Sequence, residues 1–286
     1  MKPSPQIRNG QMDDCRDLLT VYQTTRRLRM ADATVEDVKT AHRGPLFRKW
    51  GWLVALQDGR AIAEIVFRTE RSDAYGKLGI ITSIDVDVRY QRRGIGSLLT
   101  KAAEEVLRSK GVSRVLVDST PESYNFWMRQ GYFSRGSLFE LSADLRSLRR
   151  GGPRALSMTR LEDSERLPAC LELHNLAPPG LLSKTAGAIL GGRCRGEVFE
   201  FRYEGELVGA GAFAVENDDT ASFVADAFNG GSAQLGFIAC RTARAASTAG
   251  IRRVRTVVSR DLIPEYETLA SWTVTPSSIM PAVKIL

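Results

Sequence analysis

Thiol and imidazole groups are scarce in this chain. Its 286 residues include four cysteines and two histidines. Cys15, Cys170, Cys194 and Cys240 lie far apart and form no C-x-x-C pair, so the ligand spacing of a structural zinc site is missing. In a reducing compartment such residues read as free thiols, buried or half-buried. Neither His42 nor His174 has a serine or cysteine nucleophile signature beside it, which argues against a histidine-based triad. An unbroken apolar run of about 18 residues, the length that crosses a membrane, is also missing. The opening segment, MKPSPQIRNGQMDDC, lacks the apolar core of a secretion signal. These absences predict a soluble, cytoplasmic protein with no metal and no membrane partner.

What is present is the composition of a globular protein, 43% hydrophobic and 26% charged. The length suggests two domains at roughly 100–200 residues each. Forty basic side chains against 33 acidic ones leave a net charge of +7. The excess is uneven, with 24 basic and 18 acidic residues in 1–146 against 16 and 15 in the remainder. The arginines are scattered and not striped with aromatics, so a smaller anion is favoured over nucleic acid.

One plan is used twice along the chain. Residues 51–68, GWLVALQDGRAIAEIVFR, read as two strands joined at Asp58-Gly59, the chemistry of a tight hairpin turn. Residues 198–215, VFEFRYEGELVGAGAFAV, repeat the pattern around Glu204-Gly205. A strand near Leu78–Val88, a helix, Gly111 and the strand Ser113–Val117 follow the first hairpin. A strand near Ala221–Phe228, a helix, Gly250 and the strand Arg252–Val258 follow the second. The turns are 146 residues apart and the glycines 139, close to half the chain, as a duplicated unit requires. The stretch SLRRGGPRALS, residues 147–157, has the Arg, Gly and Pro content of a boundary. Two domains are therefore expected, 1–146 and 147–286. A helix over Asp13–Arg27 opens the first, and Glu162–Leu173 takes that part in the second. Strands alternating with helices give an α/β class with a parallel pair in each half.

The richest segment is residues 80–133. An apolar, β-branched strand runs through Arg89-Tyr90-Gln91-Arg92-Arg93-Gly94-Ile95-Gly96 into a helix with apolar residues at Leu98, Leu99, Ala102, Ala103, Val106 and Leu107. A strand, a glycine loop and a helix start together present unpaired backbone N–H groups at the positive end of the helix dipole, an anion site suited to pyrophosphate. The loop is neither G-x-x-x-x-G-K-[ST] nor G-x-G-x-x-G, because Leu99 stands where the third glycine belongs. A nucleoside-triphosphate loop and a dinucleotide fold are thereby disfavoured.

Gln91-x-x-Gly94-x-Gly96 instead resembles the Q/R-x-x-G-x-G/A signature of the GCN5-related N-acetyltransferases (GNAT). The preceding Val86-Asp87-Val88-Arg89-Tyr90 and the later Asn125-Phe126-Trp127-Met128-Arg129-Gln130-Gly131-Tyr132 are similar to that family's flanking segments. The resemblance covers residues 50–135, and the second half echoes it only at the level of fold. It implies two tandem acyl-CoA N-acyltransferase (GNAT-like) domains, each a mixed, mostly antiparallel sheet flanked by helices. The first copy is intact. The second is degenerate, since Asn229-Gly230-Gly231-Ser232 does not match the signature.

The resemblance further implies acetyl-CoA as co-substrate. The Gln91–Gly96 backbone, including Ile95, would hold its pyrophosphate, with Arg92 and Arg93 assisting by charge. Val86 and Val88 would meet the pantetheine arm through the main chain, and an amide near Val86 would polarise the thioester carbonyl. The acceptor is a primary amine of a small molecule, antibiotic, amino acid or peptide. A protein-lysine acetyltransferase and a non-catalytic CoA-binding regulatory module are the alternatives. A lysine-like amine, with pKa near ~10.4, needs a base more than an α-amine near ~8 does. Asp85, Asp87, Glu64 and Glu122 are candidates for that base, and a water relay is the alternative. Many family members have a tyrosine acid where this chain has Trp127, whose indole has no acidic proton to give. Trp127 packs against the pantetheine or the core in this reading. Tyr124, a helical turn earlier, is the substitute acid; otherwise the thiolate leaves unassisted. The chain is expected to act as a monomer that mimics a dimer, or as a homodimer.

Overall fold

The protein is described from a computed structural model, which covers residues 4–25, 33–72, 75–149, 156–162, 171, 173–174, 176–228 and 232–286. The first half opens with β1 (Gln6–Asn9), a 3-10 turn over Met12–Asp14 and α1 (Cys15–Thr25). Helix α2 (Val35–Ala41) starts at Thr34, whose hydroxyl accepts from the Asp37 amide while the Asp37 carboxylate takes the Thr34 N–H, a reciprocal cap. The hairpin of β2 (Trp52–Gln57) and β3 (Arg60–Ser72) turns at Asp58-Gly59. Both residues have positive φ, 53° and 77°, as a type I′ turn demands. Next come β4 (Gly76–Val86), a 3-10 turn over Val88–Tyr90, α3 (Ile95–Ser109), β5 (Arg114–Ser119), α4 (Pro121–Arg129), β6 (Phe133–Ser134) and β7 (Leu138–Asp144).

The second half repeats this order. It has β8 (Leu156–Leu161), β9 (Leu173–His174), α5 (Leu181–Leu190), β10 (Gly196–Tyr203), β11 (Glu206–Val215), β12 (Thr220–Ala227), α6 (Ser232–Thr248), β13 (Arg253–Ser259), α7 (Ile263–Glu267), β14 (Thr273–Pro276) and β15 (Met280–Ile285). The hairpin at Glu204-Gly205 again has two positive φ values, 50° and 87°. Helices α3 and α6 end alike. Gly111 and Gly250 sit at φ 75° and 90°, and the next amides, Val112 and Ile251, reach back to the carbonyls of Leu107 and Ala246. Each half has one parallel pair, β4 with β5 and β12 with β13. The expected helix over 162–173 falls mostly outside the described residues, as do 150–155 of the boundary stretch, 229–231 of the second loop, and Arg26 and Arg27 at the end of the first helix.

The two sheets do not divide where the chain does. One sheet runs β1-β2-β3-β4-β5-β15-β6, with β9 alongside β3, and the other runs β14-β7-β13-β12-β11-β10-β8. Strand β15, the last of the chain, lies between β5 and β6 of the first half. Strand β7, the last of the first half, lies between β13 and β14 of the second. A cut at 146/147 therefore separates the two copies in sequence and not the two sheets. Backbone hydrogen bonds are indifferent to sequence distance, so each copy completes its partner's sheet.

The cores follow the sheets. Leu99, Ala103 and Leu107 of α3 pack on Ile65, Phe67, Ile81, Val115 and Val117, and Ala282 of β15 joins this first core. Leu235, Ile238 and Ala239 of α6 pack on Phe213, Phe223 and Val254, where Leu141 of β7 joins. Among the described residues, no helix is long and apolar enough to cross a membrane.

Candidate active site

Strands β4 and β5 pair only from Leu78↔Arg114 to Ile81↔Val117. Beyond that point β4 runs on through Thr82–Val86 without β5. A bulge at Thr82, where the β3–β4 register slips, bends the strand, and the Thr82 hydroxyl donates to the Val66 carbonyl at 2.9 Å. A gap thus opens between two parallel strands. The Asp87 amide bonds Ile62 O at 3.0 Å, so alternation turns the Val86 amide away from β3 and toward the gap. The Val86 carbonyl, on that same side, is taken by Gln91 Nε2 at 2.9 Å. Val88 lies past the strand, in the 3-10 turn, with its carbonyl accepting from the Gln91 amide.

The loop after β4 is built for close approach to the start of α3. Asp87 caps the 3-10 turn through the Arg89 amide and binds the Arg89 guanidinium. That pair holds the Asp87 carboxyl below the usual carboxylate range, so Asp87 is a loop fastener and not a base. Arg92 adopts φ 60° and Gly94 φ 80°, two left-handed residues that turn the chain into the helix. A non-glycine residue in that region costs about 1 kcal/mol. A side chain at Gly94 would meet open space, whereas one at Gly96 would sit 3.2 Å from Phe126. Gly94 is therefore required by backbone conformation, and Gly96 by the packing of α3 on α4. Ile95 is a core residue, 3% exposed, leaving its amide for the loop. Gln91, Arg92 and Arg93 are exposed. Arg93 stands over the Tyr90 ring at 5.4 Å, and Arg92 has no ion-pair partner among the described residues. The first intrahelical bond runs from Leu98 to Gly94 O, so the amides before it point out of the helix start. A free cation, outward amides and a Cβ-free Gly94 fit a bound pyrophosphate.

On the sheet face opposite α3 lies a cavity of about 260 Å³. Its floor is β3–β5, at Val66–Arg68, Ile80–Thr82 and Leu116–Asp118. One wall is Tyr22 of α1 with the segment after α2, including His42 and Phe47, and the other is Pro179, Gly180 and Lys184 at the start of α5 with Arg193. Both halves therefore enclose it, and Thr82 and Asp118, the first residues past the last β4–β5 pair, open into it. The protein packed around the Asp118 carboxyl pushes it above the ordinary carboxylate range, against the opposing charge of Lys184, while the side chain still reaches solvent.

Under the cavity is a buried polar cluster. Glu64, wholly buried, accepts from the Tyr22 hydroxyl, from Trp52 Nε1 at 2.9 Å, and pairs with His42 Nε2 at 2.9 Å. His42 Nδ1 faces the Val38 carbonyl at 2.8 Å. That carbonyl can only accept, so Nδ1 carries a proton, and both ring nitrogens are engaged. Glu64 thus holds Tyr22, His42 and Trp52 together. Its cross-strand neighbour Asp85 is also buried, with Thr25 Oγ1 3.5 Å away.

The structure does not gather the sequence candidates at one point. Asp85 lies beneath α1 and does not line the cavity. Glu122 is exposed in the first turn of α4, its carboxyl held low by the Thr120 hydroxyl. Tyr124 is half-buried on the same helix, away from the cavity lining. Trp127 takes the packing alternative, 2% exposed between Phe126 and Tyr132 at ring distances of 5.0 and 5.1 Å. Sequence reasoning passed over Asp118, although a carboxylate directly after the apolar run VLV of β5 marks a strand end. Lys184 and Arg193 carry no local signal, because only tertiary contact brings them to the first half.

Comparison with known proteins follows this geometry. Residues 18–132 match the model of the acetyltransferase (GNAT) family. No curated protein matches the chain. A GCN5-related N-acetyltransferase from Kribbella flavida superposes with a TM-score of 0.62 at 17% identity, over 99% of this chain and 72% of that one. One from Anabaena variabilis gives 0.66 at 10% identity, over 98% and 72%. A tandem GNAT protein from the clavulanic acid biosynthesis pathway gives 0.53 at 13% identity, over 98% of both chains. At these identities the likeness is one of fold.

Proposed function

From a chain that carries a GNAT acetyltransferase domain over residues 18–132 within a tandem GNAT-like fold, we propose an N-acetyltransferase that acts on the primary amine of a small molecule. The observation that carries this reading is the meeting of two features at one point. The β4–β5 opening leads on one side to the Gln91–Gly96 loop and on the other to the cavity at Thr82 and Asp118. Bound acetyl-CoA would supply a thioester. A neutral amine forms the C–N bond at its carbonyl carbon, the C–S bond breaks, and CoA leaves as the thiolate. The proton shed by the amine passes through water to that thiolate, giving amide and free thiol. The residues of the chain do the rest. The amides at the α3 start, with Arg92 and Arg93, hold the diphosphate. The Val86 amide, facing the gap, donates to the thioester oxygen where charge develops, a contribution that is usually large.

The cavity supports a small acceptor over a protein lysine. Its walls come from both halves, and about 260 Å³ is below the roughly 300–1,000 Å³ typical of sites for drug-sized ligands. The exchange of β7 and β15 supports the reading that the second copy acts as an internal partner to the first.

Release of free thiol from acetyl-CoA across an amine panel, alongside thermal melting with acetyl-CoA, tests the proposal. Acetyl-CoA is expected to raise the Tm, and Gly94→Asp to abolish that rise without unfolding the protein. The new side chain meets open space, at a left-handed backbone position that costs about 1 kcal/mol, and sets a negative charge beside the start of α3. No shift at millimolar acetyl-CoA overturns the assignment. A shift without turnover of any amine returns the regulatory alternative.

A further inference from the structure

The cavity holds more charge than its lining neutralises. Arg68 lines it, but the Arg68 guanidinium is tied to Glu70 and to Ser183 of α5, all three at most 3% exposed. His42 Nε2 is likewise engaged, by Glu64. Three charged groups remain, Asp118 at the end of β5, Lys184 of α5 and Arg193 beyond it. All three are solvent-accessible, line the same cavity, and form no ion pair among the described residues. Lys184 is close enough to act on the Asp118 charge. One free carboxylate thus sits at the strand opening, and two free cations stand on the wall given by the second half.

Opposite charges left apart in one small cavity are complementary to a ligand that carries both signs. Resting on the acetyltransferase reading, we propose that the acceptor is an amino acid. Its ammonium end is drawn to Asp118 at the β4–β5 opening and attacks after giving one proton to water, and its carboxylate is held by Lys184 and Arg193. The guanidinium of Arg193 offers the planar fork that matches a carboxylate, and Lys184 offers a point charge. The second copy then supplies acceptor specificity to the first. A phosphate in place of the carboxylate would meet the same two cations, and the test separates the two.

The test compares acceptors in matched pairs, lysine with cadaverine, phenylalanine with phenethylamine, and β-alanine with ethylamine, by thiol release from acetyl-CoA. O-phosphoethanolamine is run against ethylamine as the phosphate arm. The quantity read is the ratio of kcat/KM for the acid over the plain amine, and its change from wild type to variant, which cancels the intrinsic reactivity of each amine. The wild-type ratio is expected to exceed one in at least one pair. Lys184→Ala and Arg193→Ala are each expected to lower it about tenfold, the discrimination that one charge-assisted hydrogen bond supplies. The exposed Arg253→Ala, paired with Asp219 far along the chain, is expected to leave the ratio alone. Asp118→Asn is expected to depress both members of a pair together. Equal use of acid and amine, or a ratio that neither variant moves, overturns this inference and leaves the acetyltransferase standing. Preference for O-phosphoethanolamine over every amino acid overturns the carboxylate assignment. Failure of acetyl-CoA to bind overturns the acetyltransferase reading and this inference together. Binding of acetyl-CoA with no turnover in any pair overturns the amino-acid acceptor.

Discussion

Glu64 shows at the residue scale how a buried charge is kept. Tyr22 and Trp52 direct polar hydrogens at its two oxygens, His42 Nε2 lies 2.9 Å from one of them, and the rings pack on one another, His42 lying 4.2 Å from Trp52. Glu64→Ala leaves those groups buried without an acceptor, and losing one partner of such a cluster costs about 3 kcal/mol. A urea titration of the variant is expected to show that loss as a lower midpoint. The sequence singled out Glu64 as a titratable group near the reacting strand, but its three partners come from positions 42, 12 and 22 residues away. Cys15 is a second case. Burial, aided by the charges of Glu64 and Asp14, pushes the thiol up to about 11. A raised thiol pKa means less thiolate below it, so alkylation of Cys15 by iodoacetamide at pH 8 is expected to be slow in the native protein. The rate should climb as pH approaches 11, and rise sharply at pH 8 once the chain is unfolded in guanidinium. Mass spectrometry of the Cys15 peptide reads both effects.

At the scale of elements, the local signals were dependable. The turns at Asp58-Gly59 and Glu204-Gly205 and the helix ends at Gly111 and Gly250 all have the positive φ that those residues suggest. Turn and cap geometry depends on a few adjacent torsions, which neighbouring residues set. Gly111→Ala puts a Cβ into the left-handed region at φ 75° and is expected to cost about 1 kcal/mol, read as a lowered denaturation midpoint. Gly250→Ala should cost a similar amount, since its cap is built alike. The Gln91–Gly96 loop was legible for the same reason, because a strand, a glycine loop and a helix form one contiguous unit. The functional readings of Glu122 and Tyr124 fared differently. Helical spacing places them on α4, and the packing of Phe126 on Gly96 and of Trp127 on Tyr132 sets that helix beside α3, with none of its residues in the cavity lining.

At the scale of the whole molecule, the exchange of β7 and β15 makes the halves interdependent. Lys284 of β15 reaches Glu104 of α3 at 2.7 Å, and Ser119 of β5 donates to the Met280 carbonyl at 2.6 Å. A fragment of residues 1–146 keeps β7 but loses β15, so β5 and β6 gain bare edges. That fragment is expected to aggregate or to stay unfolded by circular dichroism. Deleting 280–286 from the full chain should abolish the acetyl-CoA thermal shift. The intact chain should melt in a single calorimetric transition.

The sequence by itself determined the duplicated order of elements, the two tight turns, the matching helix ends and the glycine loop that leads into α3. Each of these is written in residues that are neighbours along the chain. The tertiary structure alone decided which sheet each terminal strand joins, that Glu64 meets Tyr22, His42 and Trp52, and that Asp118 shares a cavity with Lys184 and Arg193. Strand pairing and cavity walls depend on which surfaces meet after the chain has folded back on itself. Local chemistry makes strands of β7 and β15 without saying which sheet each one joins. Only the joint packing of both cores assigns them.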